Sequence, residues 1–130
     1  MMIVVDSSVW IAHLRNVDLP AVRFLRSFPD SSAFLVGDLV MLEVLQGARD
    51  EVDARRIEQL LRQFNVESML DESIAVEAAS NYRDLRRRGV TIRKTNDMII
   101  ATFCLRHGYA LLHDDRDFER IALHFGLKAF

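Results

Sequence analysis

Several acidic residues of this chain border apolar segments, where a charge is costly unless a partner compensates it. Asp6 directly follows a short apolar run, and Asp97 directly precedes the almost entirely apolar run 98–105. A third acidic group, the turn His113-Asp114-Asp115-Arg116-Asp117-Phe118, follows another apolar run. Asp6 and Asp97 also have a purely structural interpretation as helix caps. A shared functional site is the hypothesis to weigh against capping.

Glu43 is the acid that structure alone explains least well. It is the one charge in the segment 39–46, which is apolar on every side and predicts a largely buried helix. A buried carboxylate without a partner costs several kcal/mol or shifts its pKa until it is neutral. A basic partner, a metal ion or a cleft facing Glu43 would each compensate it. Gly47 lies one turn later on the same face and leaves room for a ligand to approach.

Carboxylates that converge in space repel one another, and at least one pKa rises unless a cation intervenes. The predicted site has four members, with Asp117 or Asp114 as a further or alternative one: Asp6, Glu43, Asp97 and Asp115. Hard oxygen ligands favour Mg²⁺ or Mn²⁺. Zinc is disfavoured, because the four histidines lack an HExxH spacing and Cys104 is the only cysteine. Since Mg²⁺ activates water and stabilises a leaving oxygen, the residues predict a metal-dependent phosphoesterase.

Strands that alternate with helices would bring these acids together. Strands are predicted at 2–5, 33–36, from 66, at 109–112 and at 127–130, and helices from 9 and at 19–28, 39–46, 51–64, 71–88, 97–107 and 118–125. This alternation predicts an α/β fold with a central parallel sheet flanked by helices. Right-handed crossovers place the carboxyl ends of the strands at one edge of the sheet. Asp6 and the acidic turn after residue 112 should therefore share that edge, and Asp97 can face the same way.

Length and composition set wider bounds. The 130 residues suffice for one domain, 1–130, with a substantial core, and the mixture of 50% hydrophobic and 28% charged residues is ordinary for a globular protein. No apolar run reaches the ~18 residues of a membrane span, and the N-terminus does not resemble a signal peptide. These features predict a cytoplasmic protein without membrane contact. Cys104 is expected to be a small core residue, and the lone cysteine excludes a disulfide within the chain.

Nucleic-acid binding, if present, must come from a local basic patch or a metal ion, because the net charge is −2. The segment 71–88 ends in three consecutive arginines, and further basic residues follow it. They have one structural interpretation, in which they complement the dipole of the helix on a solvated surface. The functional alternative is contact with phosphates, for which the candidate residues are Arg86, Arg87, Arg93 and Lys94.

Four motifs in this order resemble those of PIN-domain ribonucleases, and specifically of the VapC toxins of bacterial and archaeal toxin–antitoxin pairs. The motifs are Ile3-Val4-Val5-Asp6-Ser7-Ser8-Val9-Trp10-Ile11, Glu43-Val44-Leu45-Gln46-Gly47, Asn96-Asp97-Met98-Ile99-Ile100-Ala101 and Leu111-Leu112-His113-Asp114-Asp115-Arg116-Asp117-Phe118. The resemblance implies that Asp6, Glu43, Asp97 and Asp115 form the acidic metal site. It places Ser8 at the hydroxyl position that supports the first acid, whereas His113 stands where the family commonly has Thr.

The resemblance also implies a three-layer PIN-like fold and a function. The expected activity is Mg²⁺- or Mn²⁺-dependent endonucleolytic cleavage of RNA, in which a metal-activated water attacks the phosphorus and leaves a 5′-phosphate. The expected partners are a second copy of the chain and a VapB-type antitoxin. The antitoxin would lay a helix in an apolar groove near the helices 18–28 and 39–46, and direct a basic side chain at the acids.

Two other functions fit parts of the sequence. A haloacid-dehalogenase-like phosphatase requires a second acid two residues after Asp6, where Ser8 stands, and a response-regulator receiver requires adjacent acids, one of which is replaced by Ser7. These departures weaken the hypothesis of a phosphotransfer or phosphatase domain. A non-catalytic module, metal-binding or with acids that only cap helices, is the other alternative. Capping does not explain Glu43.

Overall fold

Four short strands form a parallel sheet in the computed structural model, which describes residues 2–130. The strands are β1 (Ile3–Val5), β2 (Phe34–Gly37), β3 (Asn65–Glu67) and β4 (Ala110–Leu112). Their order in the sheet is β3-β2-β1-β4. The strands β1, β2 and β4 are apolar and buried, whereas the edge strand β3 is exposed. Buried apolar strands of this kind are typical of a parallel sheet covered by helices.

Seven α-helices of the described chain flank the sheet. They are α1 (Ser7–Leu14), α2 (Pro20–Ser27), α3 (Asp38–Gln46), α4 (Glu51–Leu61), α5 (Glu72–Arg87), α6 (Thr95–His107) and α7 (Arg116–Phe125). Their contacts divide them into two groups, because α1 packs against α2 and α3, α3 packs against α4, and α6 packs against α5 and α7. The predicted α/β class with a central parallel sheet is confirmed. None of these helices is both long and apolar enough to cross a membrane.

The helix α6 lies in the core. All residues from Asp97 to Cys104 are buried, as the apolar sequence of this segment predicts. Gly108 ends the helix with φ = 70°, the left-handed conformation that glycine adopts most readily. Cys104 is fully buried, so its expected place in the core is confirmed. The predicted site residue Asp97 therefore belongs to a helix in which eight successive residues are buried.

The helix α3 is less buried than its sequence predicts, and that prediction is wrong. Only Val40 and Val44 are buried in this helix, and Leu42 is 52% exposed. The reason is that α1 and α4 cover one stripe of the helix, while its remaining apolar side chains are partly open to solvent. An apolar sequence shows that a helix can be buried, but only the neighbouring elements decide how much of it is.

The ends of several elements differ from the predicted ones by a few residues, and two of the differences concern the neighbours of β1 and β4. The first helix begins at Ser7 rather than Val9, because the Asp6 side chain caps it by accepting a hydrogen bond from the Ser8 amide. The strand predicted at 127–130 is reduced to one bridge, in which Ala129 pairs with Leu111. Neither difference moves the carboxyl ends of β1 and β4, which remain neighbours in the sheet.

Candidate metal centre

The parallel pairing of β1 and β4 places Asp6 beside the turn that follows β4. The Asp6 amide donates to the Leu112 carbonyl at 2.9 Å, directly beyond the last strand pair. The Asp6 side chain is 4% exposed, and burial raises its pKa. Hydrogen bonds from Ser8 and Ser7 act in the opposite direction, and the Asp115 charge raises the pKa further. Asp6 is thus a helix cap and a neighbour of other acids at the same time.

Ser8 links the loops that follow β1 and β4. Its hydroxyl donates to Asp6 Oδ2 at 2.6 Å and accepts the amide of Asp114 at 3.2 Å. Ser8 therefore holds the orientation of Asp6 and ties the acidic turn to β1. The Asp114 side chain is exposed, and the described contacts involve only its backbone amide. This geometry separates Asp114 from the partly buried Asp115 and the buried Asp117 of the same turn.

Asp97 lies in the first turn of α6 but does not cap it. The helix has no side-chain hydrogen bond at its cap, Lys94, and Asp97 Oδ2 is buried without a hydrogen-bond partner among the described residues. Burial raises the pKa of Asp97 to about 7, and the charges of Asp6 and Asp115 contribute in the same direction. Lys94 opposes this rise. The capping interpretation therefore does not account for Asp97.

Glu43 reaches the same region from α3. Its Oε1 atom is buried and, within the described chain, has no hydrogen-bond partner. Burial raises the pKa of Glu43, and the charge of Asp6 adds to this effect, while Lys94 and the Ser7 hydroxyl act against it. Of the compensations that the sequence allows for Glu43, the structure contains a basic group, since the charge of Lys94 lowers the pKa of Glu43, while the Asp6 carboxylate adds repulsion.

Asp115 and Asp117 belong to the start of α7 and complete the group. Asp115 caps this helix, because its Oδ1 accepts the Asp117 amide at 2.9 Å, and its Oδ2 lies 4.0 Å from the Lys94 ammonium. Asp117 is 4% exposed and accepts the Arg93 amide at 3.4 Å. Ligand oxygens of Asp97, Asp115 and Asp117 lie within 4.8 Å of one another. Of the three acids of the turn that the sequence leaves as candidates, Asp115 and Asp117 therefore adjoin Asp97.

The predicted basic residues divide into two groups. Arg93 and Lys94 border the acids, where the Arg93 Nε lies 3.8 Å from Asp117. Arg87 is 3.2 Å from Asp84 on its own helix, and Arg86 lies over the Tyr82 ring at 5.8 Å. No described contact joins Arg86 or Arg87 to the acids. Sequence proximity alone could not make this distinction.

His113 is a site neighbour whose contact the sequence does not reveal. It is 8% exposed, and its Nδ1 accepts the Asp115 amide at 3.1 Å. Burial lowers the pKa of His113, against the charges of the surrounding carboxylates. The only signal in the sequence is its place between a buried strand and two acids, which also fits a residue with no role in the site.

The donor set fits a hard divalent cation. Every candidate ligand atom is a carboxylate oxygen, and two of the acids have a buried oxygen that finds no partner in the described part of the chain. A cation would supply those partners and offset the mutual repulsion that raises the pKa values. Asp6, Glu43, Asp97 and Asp115 form one electrostatic group, with Asp117 adjoining it.

Comparison with known proteins places the chain in a family. The sequence model of the PIN domain matches residues 3–123. Ribonuclease VapC11 of Mycobacterium tuberculosis (strain ATCC 25618 / H37Rv) is 34% identical to the chain, over 98% of this chain and 97% of that protein. VapC ribonuclease Mb1587 of Mycobacterium bovis matches with the same identity and coverage.

Solved structures agree in fold. The DNA-bound VapBC structure from Salmonella typhimurium has a TM-score of 0.78 at 20% identity, over 100% of this chain and 97% of that chain. VapBC2 from Rickettsia felis, bound to a promoter DNA fragment, also has a TM-score of 0.78, at 12% identity over 100% and 98% of the two chains. The motifs, the sheet, the acid cluster and the full-length relatives agree, and the chain belongs to the PIN-domain family, among its VapC ribonucleases.

Proposed function

We propose that this protein is a divalent-metal-dependent endoribonuclease and the toxin of a type II, VapBC-like toxin–antitoxin pair. The observation that carries the proposal is the pair of buried carboxylate oxygens, on Glu43 and Asp97, that have no partner within residues 2–130 and that lie among further acids. Buried acids that served only the stability of the fold would be expected to have hydrogen-bond or ion-pair partners. The relatives named as VapC ribonucleases support RNA as the substrate.

The acids would hold Mg²⁺ or Mn²⁺. Asp6, Asp97 and Asp115 are the proposed central ligands, with Glu43 and Asp117 as further members of the group. When bound, such an ion lowers the pKa of water and stabilises the charge that develops on phosphate oxygens. Since the acids supply the ion site, the proposed reaction requires no covalent bond between a side chain and the RNA.

The remaining polar residues would orient the acids and the substrate. Ser8 holds the Asp6 carboxylate, because its hydroxyl donates to Oδ2 at 2.6 Å and thereby fixes the direction in which the carboxylate faces. Lys94 is 60% exposed beside Asp115, so its ammonium can contact an RNA phosphate that approaches the acids. Arg93 has the same opportunity, although part of its charge faces the buried Asp117.

The proposed protein partners are a VapB-type antitoxin and a second copy of the chain. The solved structures with similar folds include VapBC complexes, which supports the antitoxin. The half-exposed apolar side chains of α3 are consistent with the groove near α2 and α3 that the sequence resemblance implies for the antitoxin. The cytoplasmic location stays a prediction from the sequence.

The function is tested with purified protein, free of antitoxin, and total cellular RNA. Parallel reactions contain Mg²⁺, Mn²⁺ or EDTA, and cut ends are mapped by sequencing. Discrete cuts should need the metal and should disappear in Asp97→Asn. The matched control is Asp18→Asn, which changes an exposed acid paired with Arg23 outside the cluster and should cut as the wild type does. Cutting by Asp97→Asn at the wild-type rate would contradict the proposal.

A further inference from the structure

The turn after β4 is fixed by two side chains that accept hydrogen bonds from consecutive backbone amides. The Asp114 amide donates to Ser8 Oγ at 3.2 Å, and the Asp115 amide donates to His113 Nδ1 at 3.1 Å. Ser8 is itself bound to Asp6. The turn that presents Asp115 is therefore attached to β1 on one side and to its own first residue on the other.

His113 is well placed to hold this turn. Its side chain is almost fully buried, and its ring packs against Phe118 of α7 with 5.4 Å between the ring centroids. A buried ring in contact with a core residue has little freedom to rotate, so the position of its Nδ1 is fixed. Because Nδ1 accepts a hydrogen bond, it carries no proton in this arrangement.

The hydrogen bond from the Asp115 amide controls the direction of the Asp115 carboxylate. Asp115 Oδ1 accepts the Asp117 amide, and Oδ2 lies 4.0 Å from the Lys94 ammonium. One oxygen of this carboxylate lies within 4.8 Å of ligand oxygens of Asp97 and Asp117. A rotation of the Asp115 backbone would move the carboxylate away from the other acids. The Asp115 backbone, in turn, is held through the amide that His113 accepts.

We propose that His113 is a positioning residue, whose Nδ1 holds the Asp115 amide and thereby keeps the Asp115 carboxylate at the metal centre. The inference rests on the proposed function for its metal, and it assigns no direct contact with metal or RNA to His113. Outer residues that orient ligands typically change metal affinity about 10–100-fold when they are replaced. We expect His113 to belong to the lower part of that range.

Two substitutions separate positioning from packing. His113→Leu keeps an apolar side chain of similar volume against Phe118 but has no acceptor. His113→Asn loses the ring contact, yet it carries an acceptor oxygen at the same number of bonds from Cα as Nδ1. If His113 only packed against Phe118, Asn would reduce metal affinity more than Leu would. If His113 positions the Asp115 amide, Leu should reduce metal affinity more than Asn.

The test measures Mn²⁺ binding by calorimetry on the RNA-free protein, together with thermal stability in EDTA and RNA cleavage. His113→Leu should bind Mn²⁺ about 10-fold more weakly and cut RNA at correspondingly higher metal concentrations. His113→Asn should be the less stable variant, and its Mn²⁺ affinity should stay within about threefold of the wild type. Equal Mn²⁺ affinities of wild type and His113→Leu would overturn the inference, as would losses that follow stability alone.

Failure of the inference and failure of the proposed function give different results. If the wild type binds Mn²⁺ and cuts RNA while His113→Leu behaves identically, only the role of His113 is wrong. If the wild type binds Mn²⁺ with the predicted order of the two variants but cuts no RNA, the positioning role stands and the nuclease proposal fails. A wild-type protein that binds no Mn²⁺ overturns both.

Discussion

The tripeptide Asp-Ser-Ser occurs twice in this chain, at 6–8 and at 30–32, and the two copies have nearly the same local geometry. In both, the second serine donates to the aspartate from its amide at 3.1 Å and from its hydroxyl at 2.6 Å. The pKa values nevertheless shift in opposite directions. Burial raises the pKa of Asp6, whereas the hydrogen bonds from Ser32 lower the pKa of the exposed Asp30.

The difference teaches that local sequence determines the turn and the surroundings determine the chemistry. Asp6 follows a buried strand and faces Asp115, while Asp30 precedes a short 3₁₀ turn (Ser31–Ala33) on the surface. Both copies cap a helix, and only the copy at 6–8 also contributes to the candidate metal centre. The comparison can be tested by changing the two copies in parallel.

The largest expected effect comes from neutralising the two aspartates. Asp6→Asn should lower RNA cleavage by about 1000-fold or more, because it removes a charge that the proposed ion requires. Asp30→Asn should leave cleavage unchanged, since it alters the same turn far from the acids. Rates at saturating Mn²⁺ provide the measurement. Similar losses in both variants would show that the turn, and not the site, matters.

The second effect is a pH dependence of stability without metal. Because the Asp97 pKa rises from 3.8 to about 7 in the folded protein, that protein holds a proton between these values that the unfolded chain has released. Without screening this proton corresponds to about 3 kcal/mol between pH 4 and pH 7. Because solvent screens the partly open cluster, the free energy of unfolding in EDTA should fall by about 2 kcal/mol over this range, or about 8 °C in Tm.

Asp6 and Glu43, whose pKa values are also raised, should likewise lower the free energy of unfolding as the pH rises. Asp30 acts in the opposite direction, because its lowered pKa gives a stabilisation that is lost only as the pH falls below about 4. Thermal melts across this range test the prediction. Mn²⁺ should restore Tm at pH 7, and Asp97→Asn should flatten the curve. A wild-type Tm in EDTA that does not fall between pH 4 and pH 7 would contradict the raised pKa values.

The third effect distinguishes the two capping serines. Ser8→Ala should reduce cleavage about 10-fold, because Ser8 holds Asp6 and also accepts the Asp114 amide. Ser32→Ala removes an equivalent hydrogen bond to Asp30 on the surface and should leave cleavage at the wild-type rate. Equal rates for Ser8→Ala and the wild type would show that the link between β1 and the acidic turn is dispensable.

The smallest effect concerns the basic residues. Lys94→Ala should weaken RNA binding about threefold and reduce its salt dependence, because Lys94 adjoins the acids. Arg87→Ala should change binding less, since Arg87 lies 3.2 Å from Asp84 on its own helix and has no described contact with the acids. Filter binding of RNA to the Asp97→Asn protein at several salt concentrations measures both. A larger effect of Arg87→Ala than of Lys94→Ala would indicate that RNA binds near the end of α5.

Sequence reasoning predicts the fold and the outline of the site because both depend on order along the chain. Parallel strands joined by helices must bring Asp6 and the acidic turn to one edge, and the structure confirms this arrangement. A charge in an apolar helix predicts a special environment for Glu43, and its Oε1, which is buried without a partner among residues 2–130, agrees with this prediction. These features follow from the alternation of strands with helices along the chain and from the free-energy cost of a buried charge.

The remaining details depend on tertiary contacts that periodicity does not encode. The sequence leaves open which acids of the turn face inward, and burial selects Asp115 and Asp117 over the exposed Asp114. It cannot show that the His113 ring accepts an amide, since a histidine after a strand has many possible partners. It also overestimates the burial of α3, because an apolar stripe does not show how far its neighbours extend.

The unequal burial of α6 and α3 has a consequence for motion. Asp97 belongs to a helix in which eight successive residues are buried, so that opening it locally exposes much of the core. Glu43 belongs to a helix with two buried residues, for which a local fluctuation costs far less free energy. Amide hydrogens of α6 should therefore exchange only on global unfolding, and those of α3 much sooner. The α6 side of the acid cluster would be rigid and the α3 side mobile. We therefore expect Glu43, rather than Asp97, to move when ions or RNA strands of different size bind.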